Sequence, residues 1–168
     1  MDEQTINALA AEIYNHNKSV GGWDDNRSIK TALMLVITEI AEATEGERKG
    51  LMDDHLPYRK MGEVELADAL IRMLDIGGRF GLCYEKQAYL HLNYKNIYEA
   101  HFELCEKATS PELLYNSNYS YFIEAIFIIS DDFCYDVESA MDEKLAFNKT
   151  RPDHKRENRA KKGGKRCE

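Results

Sequence analysis

Apolar residues recur every three or four positions along most of the chain, which is the period of an α-helix. The pattern predicts a first helix over residues 2–17 and a second helix that ends at Lys49. Asn26 or Ser28 is suited to cap the start of the second helix, and Gly50 is suited to stop it. The first half of the chain is therefore predicted to be helical with a polar, glycine-containing connection.

The same period continues through the second half. A third helix is predicted over residues 60–76, closed by the pair Gly77-Gly78. Further helical patterns cover residues 85–110 and about 119–148, and no segment with the period of a β-strand competes with them. These patterns predict an all-α fold. Because the second and third helices are joined by a short loop, they are expected to pack antiparallel.

Acidic residues interrupt the apolar surface of both central helices. Glu39 and Glu42 lie one turn apart on the second helix, and Glu65 and Asp68 repeat the arrangement on the third. Antiparallel packing would bring the two pairs face to face, where the carboxylates would raise one another's pKa values. A hard divalent cation such as Mg²⁺ relieves that conflict. The alternative is a solvated helix face with simple ion pairs such as Asp68–Arg72.

Charge divides the chain into an acidic body and a basic end. The protein has 168 residues and a net charge of −8, a length suited to one domain. Residues 1–143 carry 27 acidic and 12 basic side chains, whereas residues 144–166 carry ten lysines and arginines. We expect a helical domain over residues 1–150 and a basic, partly disordered tail over residues 151–168.

Several features predict a cytoplasmic protein. The N-terminal residues are acidic and polar, so no secretory signal is expected, and the apolar runs are shorter than a membrane helix requires. The cysteines are widely spaced and contain no CxxC pair: Cys83, Cys105, Cys134 and Cys167. Reduced thiols are the expected state.

Four stretches together are similar to one enzyme family. Glu39-x-x-Glu42 is followed by Glu65-x-x-Asp68, GGWDDNRS precedes the first pair, LADALIRMLDIGGRFGL contains part of the second, and DEKLAFNKTR carries a Lys-x-x-x-Asn-x-x-Arg pattern ahead of the basic tail. This order resembles the MazG-like all-α nucleoside triphosphate pyrophosphohydrolases. The resemblance covers residues 5–84 and 138–168. About fifty residues between them, approximately 86–136, are additional to the simple members of the family. They are either an unrelated insertion or an imperfect helical repeat, since IEAIFIIS faintly echoes LADALIRM.

The resemblance implies hydrolysis of an NTP or dNTP to the monophosphate and pyrophosphate, in nucleotide-pool control or sanitation. It implies a helical bundle whose antiparallel pair binds Mg²⁺, with Mn²⁺ as a possible substitute, through Glu39, Glu42, Glu65 and Asp68. Glu39 or Glu42 would act as the general base. It also implies a homodimer or homotetramer.

Residues outside the acidic motif are candidates for substrate binding. Lys144, Asn148 and Arg151 offer donors to phosphate oxygens, or the two basic residues are ordinary helix-end cations that the helix dipole favours. Trp23 could stack on the base or fill the core, and Arg72 could touch a phosphate or pair with Asp68 or Asp75. Further candidate neighbours of the base or sugar are Tyr14, His16 and Lys18.

Two other classes of function stay open. One is a non-catalytic helical regulator that binds a metal ion or a nucleotide. The other is a nucleic-acid-binding module that acts through the basic tail, whose charge suits weak, salt-dependent binding. The tail lacks interleaved aromatic residues and follows an acidic body, which disfavours nucleic acid as a partner.

Overall fold

The computed structural model describes residues 1–24, 26–87 and 90–159, and the predicted all-α fold is confirmed for them. The α-helices are α1 (Glu3–Ser19), α2 (Ile29–Lys49), α3 (Met61–Phe80), α4 (Ile97–Thr109), α5 (Asn116–Asp132), α6 (Val137–Thr150) and α7 (Arg156–Arg159). Short 3₁₀-helices cover Pro111–Leu114 and Pro152–His154. Each of the described helices is too short or too polar to span a bilayer.

The boundaries of α2 agree with the predicted signals. Ser28, and not Asn26, is the N-cap, and its side chain accepts a hydrogen bond from the backbone N–H of Thr31. Gly50 adopts the left-handed conformation at φ +64° and ends the helix. Local sequence therefore sets where the first acidic helix begins and ends.

The predicted end of the third helix is wrong. α3 continues through Gly77 and Gly78 and ends before Gly81, which has φ +68°. A Cβ at Gly77 would lie 2.5 Å from Cζ of Tyr119, and one at Gly78 would lie 2.5 Å from the carbonyl oxygen of Ala10. The two glycines make room for α5 and α1 against α3, so they serve close packing and not helix termination.

Two further helix predictions need correction. The predicted helix over residues 85–110 begins only at Ile97, where Asn96 provides the cap. The helix predicted over 119–148 is two helices, because the chain breaks between Asp132 and Val137 with Cys134 at φ +55°. Asp136 then caps α6 by accepting from the backbone N–H of Ser139.

α3 lies at the centre of the molecule and contacts α1, α2, α5 and α6. α2 runs antiparallel to it, as predicted. The end of α2 meets the start of α3, since a Cβ at Gly46 would lie 2.8 Å from Cβ of Met61. Glu39, further back on α2, contacts Arg72, further on along α3. This register places the two acidic pairs beside one another.

The segment 86–136 contains α4 and α5, which pack on the central helices of the same chain. α4 contacts α2, and α5 contacts both α3 and α4. The segment therefore covers part of the central helix pair without a second subunit. The homodimer or homotetramer stays a prediction.

Arg156 attaches the basic end of the chain to the loop after α1. Arg156 of α7 pairs with Asp24 at 2.6 Å and donates to the carbonyl oxygen of Ser19. Most of the remaining tail, residues 160–168, lies outside the described residues.

A largely buried arginine joins α6 to the start of α3. Arg59 lies in the loop before α3, and its guanidinium donates to Glu63 at 2.8 Å, to Ser139 at 2.7 Å and to Glu143 at 2.8 Å. Glu63 also accepts from the backbone N–H of Asp136 at 2.8 Å. These bonds hold α6 in the position from which Lys144 reaches α3.

Candidate functional site

Three of the four predicted acidic residues converge between α2 and α3. Carboxylate oxygens of Glu39, Glu42 and Glu65 all lie within 4.8 Å of one another. Glu39 and Glu65 are each only 6% exposed, whereas Glu42 reaches solvent. The helical period puts each acid at the edge of an apolar stripe, and the antiparallel register aligns the stripes. We call these three residues the glutamate cluster.

The glutamate cluster carries more negative charge than its surroundings favour. The pKa of Glu65 is raised to about 9, mainly by burial and also by the nearby Asp68 and Glu39, against the opposing effect of Lys144. A hydrogen bond joins Glu65 to Glu39, which fits a protonated Glu65 as donor. Burial also raises the pKa of Glu42, and the charge of Glu39 adds to this effect. Such crowding is typical of carboxylates that bind a cation.

Two basic residues already contact the acidic helices. Arg72 donates from Nε to Oε1 of Glu39, so its close partner is Glu39 on the opposite helix. Lys144 Nζ lies 2.9 Å from Oδ2 of Asp68. Asp68 thus lies beside the glutamate cluster but is held by an ammonium group.

Lys144 is almost completely buried, with 2% of its surface exposed. Burial opposes its charge, but Asp68, Glu65 and Asp53 together raise the pKa of the ammonium group above its usual range. The sequence pattern suggests Lys144 as a phosphate donor. The structure places its ammonium inside the protein, between two carboxylates.

Asp53 belongs to this group of charged residues, although no sequence motif predicts it there. It lies in the loop between α2 and α3, is 2% exposed, and places Oδ2 3.8 Å from Lys144 Nζ. Its Oδ1 accepts from the backbone N–H groups of His55 and Leu56 at 2.9 and 2.7 Å. An aspartate that precedes a tight loop is the local signal that could have identified this turn. Asp53, Asp54 and His55 form a second close group, and Lys144 lies beside it, 3.4 Å from Nδ1 of His55.

A cavity of about 350 Å³ adjoins the acidic residues. Four of the predicted site residues line it: Asp68, Arg72, Asn148 and Arg151. Its lining includes four apolar side chains: Ile13, Leu35, Ile71 and Leu145. The predicted neighbour His16 also lines the cavity, as do Asn17, Arg27 and Asp75, which the sequence analysis did not assign to substrate binding. The volume of the cavity is within the usual range for a small-molecule site.

Trp23 occupies a core position beside this cavity. It is 9% exposed, and its indole Nε1–H donates to Oδ1 of Asp75 at 3.1 Å. The guanidinium groups of Arg27 and Arg79 lie over its ring, at 5.5 and 4.9 Å from the centroid. With both arginines over the ring and most of the side chain buried, the core role suggested by the sequence describes Trp23 better than base stacking.

The other predicted neighbours of the base or sugar lie near the end of α1. The ammonium group of Lys18 lies 5.8 Å from the centre of the Tyr14 ring, and Tyr14 accepts a long hydrogen bond of 3.4 Å from Arg79. His16 is the one of these three neighbours that lines the cavity.

Comparisons of the chain with protein-family models, with curated proteins and with solved structures found no match. The function is therefore argued from the glutamate cluster, the adjoining cavity and the sequence motifs.

Proposed function

We propose that this protein is a Mg²⁺-dependent nucleoside triphosphate pyrophosphohydrolase, which releases pyrophosphate and leaves a nucleoside monophosphate. The observation that carries the proposal is the glutamate cluster, with its oxygens within 4.8 Å of one another, next to a cavity of about 350 Å³. The cavity combines carboxylates, cationic donors and apolar side chains, which together suit phosphates, metal and a nucleoside. The resemblance to MazG-like enzymes supports the same activity.

The donor set fits a hard divalent cation. All three close ligand atoms are carboxylate oxygens, and burial together with mutual repulsion raises the pKa values of Glu42 and Glu65. We propose Glu39, Glu42, Glu65 and Asp68 as the residues that hold Mg²⁺, with Mn²⁺ as a substitute. When bound, the ion supplies positive charge that offsets the triphosphate and polarises the attacked phosphorus.

Side chains of the protein would orient the metal ligands, activate the attacking water and bind the phosphates. Arg72 fixes the orientation of Glu39, and Lys144 fixes that of Asp68. Glu42 is exposed to solvent while Glu39 is held by Arg72, so Glu42 is the better general base for the attacking water. Asn148 and Arg151 line the cavity and supply donors for phosphate oxygens.

The test is pyrophosphate release from a panel of standard and damaged NTPs and dNTPs, with Mg²⁺ and with EDTA. We expect Mg²⁺-dependent release from the intact protein and almost none from Glu42→Gln. Glu106→Gln is the matched control, because Glu106 is an exposed residue of α4. Nucleotide binding without any turnover would reject the enzyme and favour the non-catalytic regulator.

A further inference from the structure

Asp75 is an acidic residue that lines the cavity but does not belong to the glutamate cluster. It lies on α3 two turns after Asp68, and both residues line the cavity together with Arg72 and Ile71. Two turns of α-helix correspond to about 10 Å along the axis. α3 therefore presents one carboxylate near the glutamate cluster and a second one about a nucleotide's length away.

The surroundings of Asp75 fix its carboxyl group in place. Its Oδ1 accepts from Trp23 Nε1 at 3.1 Å, and the side chain of Asn17 provides a second hydrogen bond. Burial raises the pKa of Asp75, and these two hydrogen bonds lower it. A carboxylate has about four lone-pair positions, so two donors leave acceptor capacity for a ligand.

The rest of the cavity suggests which part of a nucleotide lies near Asp75. Mg²⁺ and the phosphates belong at the end with Asp68, if the proposed function is correct. The apolar side chains of Ile13, Leu35 and Ile71 line the cavity wall and suit the faces of a sugar or base. The nucleobase then extends towards Asp75, where it meets a fixed acceptor.

We propose that Asp75 recognises the exocyclic amine of the nucleobase, so that the site selects amine-bearing bases over uracil and thymine. This inference rests on the proposed function. An amine at position 4 of cytosine can donate to the carboxylate, whereas the carbonyl oxygen at the same position of uracil places an acceptor against an acceptor. Two buried acceptors that face each other without a hydrogen-bond donor are strongly disfavoured. This penalty is the physical reason why the site would discriminate against uracil.

CTP and UTP are the most informative pair of substrates, because position 4 of the base carries an amine in CTP and a carbonyl in UTP. We expect intact protein to hydrolyse CTP with a kcat/KM at least tenfold higher than that for UTP. Asp75→Asn keeps an oxygen that can accept from Trp23 and adds an amide donor, so it should shift the CTP/UTP ratio towards UTP by at least tenfold. Asp131→Asn, at an exposed position of α5, is the matched control and should leave the ratio unchanged.

A binding measurement separates this inference from the proposed function. Trp23 is the only tryptophan and bonds to Asp75, so its fluorescence reports on ligands at this end of the cavity. In EDTA, CMP should change the fluorescence at lower concentration than UMP, and Asp75→Asn should reverse that order. Absence of hydrolysis with CMP preferred over UMP would reject the enzyme but keep Asp75 as the base contact. Equal kcat/KM for CTP and UTP in the intact protein, or equal binding of CMP and UMP if no substrate is turned over, would overturn the role of Asp75.

Discussion

The ammonium group of Lys144 lies 2.9 Å from the carboxylate of Asp68, and the two side chains are 3% and 17% exposed. The pair joins α6 to α3 beside the glutamate cluster. The sequence motifs suggested separate roles, phosphate binding for Lys144 and metal binding for Asp68. Their contact means that the two roles are coupled, because removing the charge of one residue leaves the charge of the other buried without this partner.

Loss of this ammonium group should destabilise the fold. Lys144→Met removes the charge and keeps most of the volume, but it leaves Asp68 and Asp53 without their shared cation. We expect the free energy of unfolding in urea to fall by about 3–5 kcal/mol. Adding Asp68→Asn to Lys144→Met should recover part of the loss, since one uncompensated carboxylate disappears. If the single variant is as stable as the intact protein, the buried pair has no structural role.

The protonation of Glu65 should make the metal-free protein less stable at high pH. Its folded pKa is raised to about 9 from its ordinary value of 4.5, so the folded state holds a proton that the unfolded state releases. Stability therefore falls as pH rises from 4.5 towards 9. Glu65→Gln replaces the protonated acid by a neutral donor and should stabilise the protein in EDTA by about 1–3 kcal/mol at pH 8.

The pH dependence of the same variant provides the check. At pH 5 most of the advantage of Glu65→Gln should be lost, because a protonated Glu65 is then much less costly to the folded state. Thermal unfolding in EDTA at the two pH values measures the difference, with Glu106→Gln as the exposed control. An advantage that does not change with pH would show that Glu65 is ionised in the folded protein.

Arg59, in the loop before α3, is expected to contribute more to the free energy of unfolding than Arg48, which lies on the surface. Arg59 is 13% exposed and binds Glu63 and Glu143, whereas Arg48 is 61% exposed and binds Glu45. Arg59→Met should lower the free energy of unfolding by about 2–4 kcal/mol, because Glu63 stays buried without its partner. Arg48→Met should cost less than about 1 kcal/mol. Equal losses in urea denaturation would contradict this assignment.

Local signals explain which parts of the structure could be predicted from sequence. Ser28 and Gly50 act on neighbouring backbone groups, so the ends of α2 follow from adjacent residues. The meeting of Glu39 with Glu65 follows from two helical periods and a short connection. Such features need only the sequence of one helix pair.

Contacts between distant segments could not be predicted in the same way. Lys144 meets Asp53 and Asp68 because α6 packs on α3, through its buried apolar residues and through Arg59. The bond between Trp23 and Asp75 depends on how the loop after α1 packs on α3. No periodicity in the sequence encodes these pairings, which is why Asp53 and the substrate-site role proposed for Asp75 were absent from the sequence analysis.

Gly77 gives a direct test of glycine as a packing residue. In an exposed helix, Gly→Ala stabilises by about 1 kcal/mol. Here the added Cβ would lie 2.5 Å from Cζ of Tyr119, so Gly77→Ala should instead destabilise by about 1–3 kcal/mol. In a Tyr119→Ala background the same substitution should cost nothing or stabilise, as a double-mutant cycle in urea would measure. A stabilising effect with Tyr119 present would mean that Gly77 does not serve close packing.

The last prediction concerns Arg151, which lines the cavity together with Asn148. Because Lys144 is committed to Asp68 and Asp53, Asn148 and Arg151 are the predicted phosphate ligands that still line the cavity, together with the cations of Arg27, Arg72 and Lys149. A guanidinium can grip a phosphate through two parallel hydrogen bonds, which neither glutamine nor lysine reproduces. Arg151→Gln should therefore raise KM for CTP at least tenfold, about 1.4 kcal/mol, with a smaller change in kcat. Arg151→Lys should recover only part of the loss, and Arg48→Gln should have no effect.

Deletion of residues 160–168 should raise KM for CTP less than Arg151→Gln does. If the deletion raises KM tenfold while Arg151→Gln leaves it unchanged, the tail and not the end of α6 binds the phosphates.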